Sequence, residues 1–156
     1  MGLDFGIYWA NKGYIPKDEL TDNTFSKNEL CYGRKSWEVV NKMGLNINDY
    51  DCELTKEQWD KLMEAIAPIG SKLRSIMDAF DREYNAPDDY PELVFKDEHK
   101  ALIAEYEYWY NKTFKDRPVL GYNFSVYYMI NFWEAKDLVY KYLEDPNYQV
   151  RRYISY

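Results

Sequence analysis

The stretch Thr55-Lys56-Glu57-Gln58, followed by Trp59, Leu62, Met63 and Ile66, constrains the fold more than any other part of the chain. Thr55 and Gln58 stand at capping-box spacing, where hydroxyl and amide each satisfy a backbone donor left open at a helix start. The apolar residues behind them recur at i, i+3, i+4 and i+7, which is one face of a helix. Such a face needs a partner layer, and the same period returns along the chain. Leu73, Ile76, Met77 and Phe80 predict a helix ending near Tyr84, with a kink or break before it at Pro68 and Gly70. Leu102, Tyr106, Trp109 and Phe114 predict another from about Asp97 to Phe114, stopped by Asp116-Arg117-Pro118. From Val126 to Trp133 only Asn131 is strongly polar, so a helix capped by Ser125 is expected at the centre of the C-terminal half. Leu138, Val139, Tyr142 and Leu143 continue it to Asp145-Pro146. A shorter helix is expected over Arg34–Lys42, with Trp37, Val40 and Met43 buried and Gly44 as its stop.

Strand signals are fewer. Leu3, Phe5, Ile7 and Trp9 alternate with Asp4, Gly6 and Tyr8, the period of a half-buried strand. Cys52-Glu53-Leu54 reads as a very short strand, and Asn147 to Tyr156 as a closing one. The run from Lys17 to Asn28 reads as a loop. Asn85-Ala86-Pro87-Asp88-Asp89-Tyr90-Pro91 is the sharpest break, a loop or hinge near residues 85–92. The expected fold is mainly α (α+β), with four to five helices and a small antiparallel sheet from the N-terminal and C-terminal strands. The length of 156 residues fits one domain over 1–156.

Charge divides the chain. Of the net charge of -7, residues 45–98 carry a balance of -8, with fourteen acids against six bases, while residues 1–44 are neutral. A field of that sign repels nucleic acid and favours a basic protein partner. Aromatic residues make up 19% of the chain, with 17 Tyr and 5 Trp, so a substantial core is expected. No apolar run approaches the roughly 20 residues that span a bilayer. Asp4, Lys12, Lys17, Asp18 and Glu19 leave no secretory apolar segment, so a cytoplasmic protein is expected. Cys31 and Cys52 make neither a disulfide framework nor a metal site.

Candidate chemistry is sparse. His99 stands alone among charges at a helix start and reads as an exposed helix-face residue, without the second His or spaced Cys of a metal site. Asp49-Tyr50-Asp51 and Asp88-Asp89 lack the spaced ligands of a calcium loop and read as solvated turn acids. No phosphate-binding loop or nucleophile elbow occurs, and no cofactor is implied. Arg34-Lys35, placed at a first helical turn, opposes the helix dipole unless an anion binds there. The pair either binds a phosphate or nucleotide together with Tyr32, or Arg34 pairs internally with Asp4 or Glu29. Tyr106, Tyr108, Trp109 and Tyr110 beside Glu105 and Glu107 suggest interface anchors, with Tyr106 and Trp109 more suited to the core.

Met1-Gly2-Leu3-Asp4, the strand behind it, and Glu29-Leu30-Cys31-Tyr32-Gly33-Arg34-Lys35 resemble a group of small phage and prophage proteins. Those begin Met-Gly-Leu-Asp and carry a Tyr-Trp-Arg-Lys segment, an acid-and-Cys stretch and a helix. Asp49-Tyr50-Asp51-Cys52 and Thr55 to Ile66 fall in the matching order. The resemblance covers about residues 1–66; Gly33 replaces the Trp, and the Ile-His pair that follows in the group is missing. It implies a phage or mobile-element setting and no particular reaction.

These readings converge on a non-enzymatic accessory protein that inhibits a host protein, such as a nucleic-acid-binding defence complex, as an anti-CRISPR protein does. Its DNA-like surface would hold Asp78, Asp81, Glu83, Asp88 and Asp89, anchored by exposed Tyr108 and Tyr110. The alternative is a small nucleotide- or phosphate-binding protein or enzyme that uses Tyr32, Arg34 and Lys35.

Overall fold

The two ends of the chain form the two middle strands of its sheet. In the computed structural model, which describes residues 3–16, 27–34, 37–83, 97–114 and 124–155, β1 (Asp4–Asn11) pairs along its length with β4 (Tyr148–Ser155). β2 (Glu29–Gly33) lies outside β1 and β3 (Asp51–Glu53) outside β4, giving the antiparallel order β2-β1-β4-β3. The N-terminal, Cys52 and C-terminal strands fall where the periodicity put them. β2 is not among the expected strands: it occupies Glu29–Gly33, between the expected loop and the expected helix.

The described helices are α1 (Trp37–Met43), α2 (Lys56–Gly70), α3 (Leu73–Glu83), α4 (Asp97–Thr113), α5 (Phe124–Glu134) and α6 (Lys136–Glu144). With the small sheet they make a mainly α, α+β fold. The capping box forms: the Gln58 backbone N–H donates to Thr55 Oγ1 at 3.2 Å, and Thr55 N–H to Gln58 Oε1 at 2.9 Å. α1 ends where Gly44 takes φ 71°. There Gly44 N–H bonds the Asn41 carbonyl and Leu45 N–H the Val40 carbonyl, each at 3.1 Å. This double closure needs a left-handed residue, which glycine adopts without penalty, and buried Leu45 and Val40 flank it.

Two expectations on the helices are corrected and one is placed more closely. Arg34 follows β2 directly and is not in a helix. The break expected at Pro68 and Gly70 is present: α2 runs through Pro68 to Gly70, and the chain turns at Ser71 and Lys72 before α3. Pro68 is exposed in the last turn, so it removes one hydrogen bond near an end that was losing its partners anyway. The long C-terminal helix is two, divided at Ala135, and α5 begins at Phe124, before the expected cap Ser125. The division lets α6 leave the line of α5 and stack Tyr142 on Trp9 of β1, with centroids 5.4 Å apart and planes 3° apart. The loops expected at Asn85–Pro91 and Asp116–Pro118 lie outside the described residues, as does most of the Lys17–Asn28 loop.

One core gathers residues from all six helices. It takes Leu3, Phe5 and Ile7 from one face of β1 and its approach, Cys31 from β2, and Val150 and Ile154 from β4. α5 is its centre, as its sequence implied: Val126, Met129, Ile130 and Phe132 are buried, and Phe132 meets Phe5 at 5.8 Å between centroids. Where α2 ends, Gly70 lies against the Trp133 ring so closely that any side chain there would collide with it. Burying this much aromatic surface, at about 25 cal/mol per Å², is the main favourable term in folding.

The other face of β1 is buried as well, which corrects its reading as a half-buried strand. Tyr8 is 0% exposed, and with Ala10 and Tyr153 it forms a second cluster against which Tyr14 and Tyr32 pack. Gly6 stands opposite Tyr153 in the register, and a Cβ at Gly6 would fall within the tyrosine ring. Gly6→Ala should therefore lower the unfolding free energy by about 2 kcal/mol, the scale of overpacking a filled site. Urea unfolding measures this directly; a loss below about 0.5 kcal/mol would mean that the ring yields freely.

Candidate functional site

A buried hydroxyl or carboxylate is stable only when it is paired, at a cost of about 1–3 kcal/mol if it is not. On the Tyr8 face, Tyr8 and Tyr153 meet that demand by reaching across strands, whereas the Tyr14 hydroxyl is buried without a partner among the described residues. The Tyr8 hydroxyl, on β1, passes over β4 and donates to the Asp51 carboxylate on β3. Arg151 of β4, opposite Tyr8 in the register, donates from Nε to the same carboxylate at 2.8 Å. Gln149 completes the row: Oε1 accepts from Arg151 Nη1 at 2.8 Å, and its amide nitrogen lies 2.8–3.2 Å from the Asn11, Lys12 and Tyr14 carbonyls.

Tyr153 makes the mirror-image reach. From β4 its ring runs over Gly6 on β1, and its hydroxyl donates to Glu29 Oε2 on β2 at 3.0 Å. A bulge places that acceptor. Ile7 faces Cys31 but Tyr8 faces Glu29, so Leu30 is an extra residue. The slip keeps Leu30 and Cys31 against the helices and turns Glu29 to the tyrosine face. A third pair, Tyr32 to Asp4, links β2 with β1.

Electrostatics keeps these hydroxyls protonated. Burial, reinforced by the Asp51 carboxylate, lifts Tyr8 far above the ordinary tyrosine value, and burial with Glu29 does the same to Tyr153. Tyr32 is pushed up to about 12 by burial and by Asp4. Burial also raises the Glu29 carboxyl and, more strongly, the Cys31 thiol, which stays in its unreactive protonated form. The Asp51–Arg151 pair is nearly enclosed, with side chains 8% and 11% exposed. Side chains so enclosed hold strands together.

The structure disperses the residues singled out in the sequence. Tyr32 and Arg34 come together at the end of β2, and Arg34 Nε lies 3.7 Å from Asp4 Oδ1, the internal pairing that was one of its two expected roles. Lys35 lies outside the described residues. Asp78 is exposed on α3, whose backbone also includes Asp81 and Glu83, but the side chains of these two, with Asp88 and Asp89, lie outside what is described. Tyr108 is 70% exposed, whereas Tyr110 is 2% exposed and cannot serve as a surface anchor. Tyr110 continues the buried stripe of Ile103 and Tyr106 at helical spacing, which carries it into the core.

Other readings change too. His99 is not exposed: its side chain keeps only 16% of its accessible surface. Asp51 is no solvated turn acid; only Asp49 is exposed, and it pairs with Arg152 at 3.8 Å. Cys31, Ile7, Arg152 and Cys52 lie in one row across the sheet, so the two thiols stand three strand spacings, about 14 Å, apart, beyond disulfide reach. Among the described residues no three His, Cys, Asp or Glu side chains cluster to hold a metal, and no helix is long and apolar enough to cross a membrane.

The structural weight of Tyr8, Arg151 and Gln149 escaped the sequence reading. Two adjacent arginines in a strand-like C-terminal run were the available signal, because cations in a buried strand require carboxylate partners. Comparison with known proteins finds no match among protein-family models, curated proteins or solved structures.

The raised tyrosines dictate an alkaline limit. A tyrosine with a folded value above its unfolded value of about 10 stabilises the fold fully below that pH and loses this contribution as pH rises. Stability should therefore fall from about pH 10 as the unfolded tyrosines ionise, with the Tyr32 contribution lost by about pH 12, while Tyr8 and Tyr153 ionise only on unfolding. Tyrosinate absorbance and circular dichroism followed together should show a late step coinciding with loss of structure. Smooth ionisation of all 17 tyrosines near pH 10 with the fold intact would contradict this picture.

Proposed function

We propose that the protein is a non-enzymatic binder that docks on, and blocks, a basic surface of another protein. The observation that carries this reading is Tyr108. It is the one fully outward aromatic in a helix whose Tyr106, Trp109 and Tyr110 are buried. Exposed tyrosine on a rigid helix is a typical interface anchor, because it offers large contact area with little side-chain freedom to lose.

Charge around it supports the same reading. Lys72 is committed to Glu105 and Arg74 to Glu134. Among the described residues Asp78 on α3 and Glu107 on α4 stand in no ion pair, although Lys112 lies 5.9 Å from the Tyr108 ring. Lys72 and Arg74 are thus paired within the protein, while the Asp78 and Glu107 carboxylates stay available. The acidic stretch of residues 45–98 extends this character in sequence through Asp81, Glu83, Asp88 and Asp89. The resemblance of residues 1–66 to small phage proteins suits a host target, and a nucleic-acid-binding defence complex offers the basic groove that such a surface fits. The engagement of Arg34 with Asp4 weighs against the phosphate-binding alternative.

The immobilised protein, exposed to bacterial extract at about 50 mM salt, should retain a basic protein that about 500 mM salt releases. Double-stranded DNA should displace that protein. Tyr108→Ala combined with Asp78→Lys should cut retention at least tenfold, roughly the effect of losing one anchor. Retention of nothing, or of a partner indifferent to DNA and to both substitutions, would overturn the proposal.

A further inference from the structure

Between the start of β4, the end of α6 and the turn leading into α2 lies a cleft of about 220 Å³. That is below the roughly 300–1,000 Å³ of small-molecule sites and suits a single side chain. Tyr142 and Tyr148 give it an aromatic wall, their centroids 5.1 Å apart and their planes at 77°. Trp9 backs both, stacked on Tyr142 and edge-on to Tyr148 at 5.3 Å, so the rings are held in place by the fold itself.

Glu53, Glu144 and Asp145 line the same cleft. Of its two lysines, Lys56 is held by Asp60 at 3.0 Å and lies 5.5 Å from the Tyr140 ring. Lys12 alone then faces three carboxylates, of which only Asp145 has a further duty, accepting from the Asn147 backbone N–H at 2.9 Å. Aromatic rings beside carboxylates are the chemistry that selects a planar, delocalised cation, which stacks on one and donates forked hydrogen bonds to the other. We infer that this cleft receives the guanidinium of an arginine presented by a protein partner. The inference rests on the reading of the protein as a binder of basic surfaces, and it names one contact that such a partner makes.

Amide NMR titration of the full chain with N-acetyl-arginine amide tests it, with the N-acetyl-lysine analogue for comparison. Saturable shifts should centre on Glu53, Tyr148, Gln149 and Val150, with dissociation in the millimolar range expected of so small a probe. The lysine analogue should bind at least about threefold more weakly, lacking the planar fork. Glu53→Gln with Glu144→Gln should weaken binding about fivefold, and Lys12→Glu should strengthen it about twofold. All three positions are exposed, so the fold should survive. No saturable shift, equal binding of the lysine analogue, or indifference to these substitutions would overturn the inference. The probe is a single amino-acid derivative, so the result is independent of whether Tyr108 captures a protein.

Discussion

The Tyr8–Asp51–Arg151 contact is the interaction on which the rest of the structure depends. β3 is three residues long and pairs only with β4, so its backbone ladder alone is a weak attachment. Tyr8 ties it to β1 across the intervening strand, and Arg151 ties it to β4. Tyr153 and Glu29 do the equivalent for the other edge strand, β2. The central pair β1 and β4 comes from opposite ends of the chain, a contact whose loop-closure entropy is among the largest available to it. Side-chain bonds that bind three strands at once offset that cost and set the register, because a one-residue slip would turn every tyrosine toward the helices. Gly6 is required by the same arrangement, since only a residue without a side chain lets the Tyr153 ring pass.

Sheet and helices divide the labour. The helices bury the apolar stripes and supply the bulk of the hydrophobic stabilisation, while the tyrosine face supplies specificity of pairing. Two surface features remain on this frame: Tyr108 on α4, and the Tyr142–Tyr148 cleft at the start of β4, which Glu53, Glu144 and Asp145 also line. Several cations are engaged within the protein, as Arg34 with Asp4, Lys72 with Glu105 and Arg74 with Glu134 illustrate.

Local signals were legible in the sequence wherever one element contained its own explanation. The Thr55–Gln58 capping box, the Gly44 stop and the apolar periods of α2, α3 and α4 needed no knowledge of the remainder. What could not be read were features that depend on a distant partner. Asp51 looks like a turn acid until Arg151, 100 residues further on, and Tyr8, 43 residues back, are brought beside it. β2 is concealed because its bulge at Leu30 breaks the period of two that marks a strand. Tyr110 is different: its place four residues after Tyr106 already put it on the buried stripe, and only its proximity to Tyr108 suggested a surface role.

A double-mutant cycle on Tyr8→Phe and Asp51→Asn tests the central claim most directly. If the hydroxyl–carboxylate contact locks β3 to β1, each single change destabilises the fold and the double change costs less than their sum, with a coupling of about 1 kcal/mol or more. Losses that add to within about 0.3 kcal/mol would show that the two residues act independently and would contradict the account.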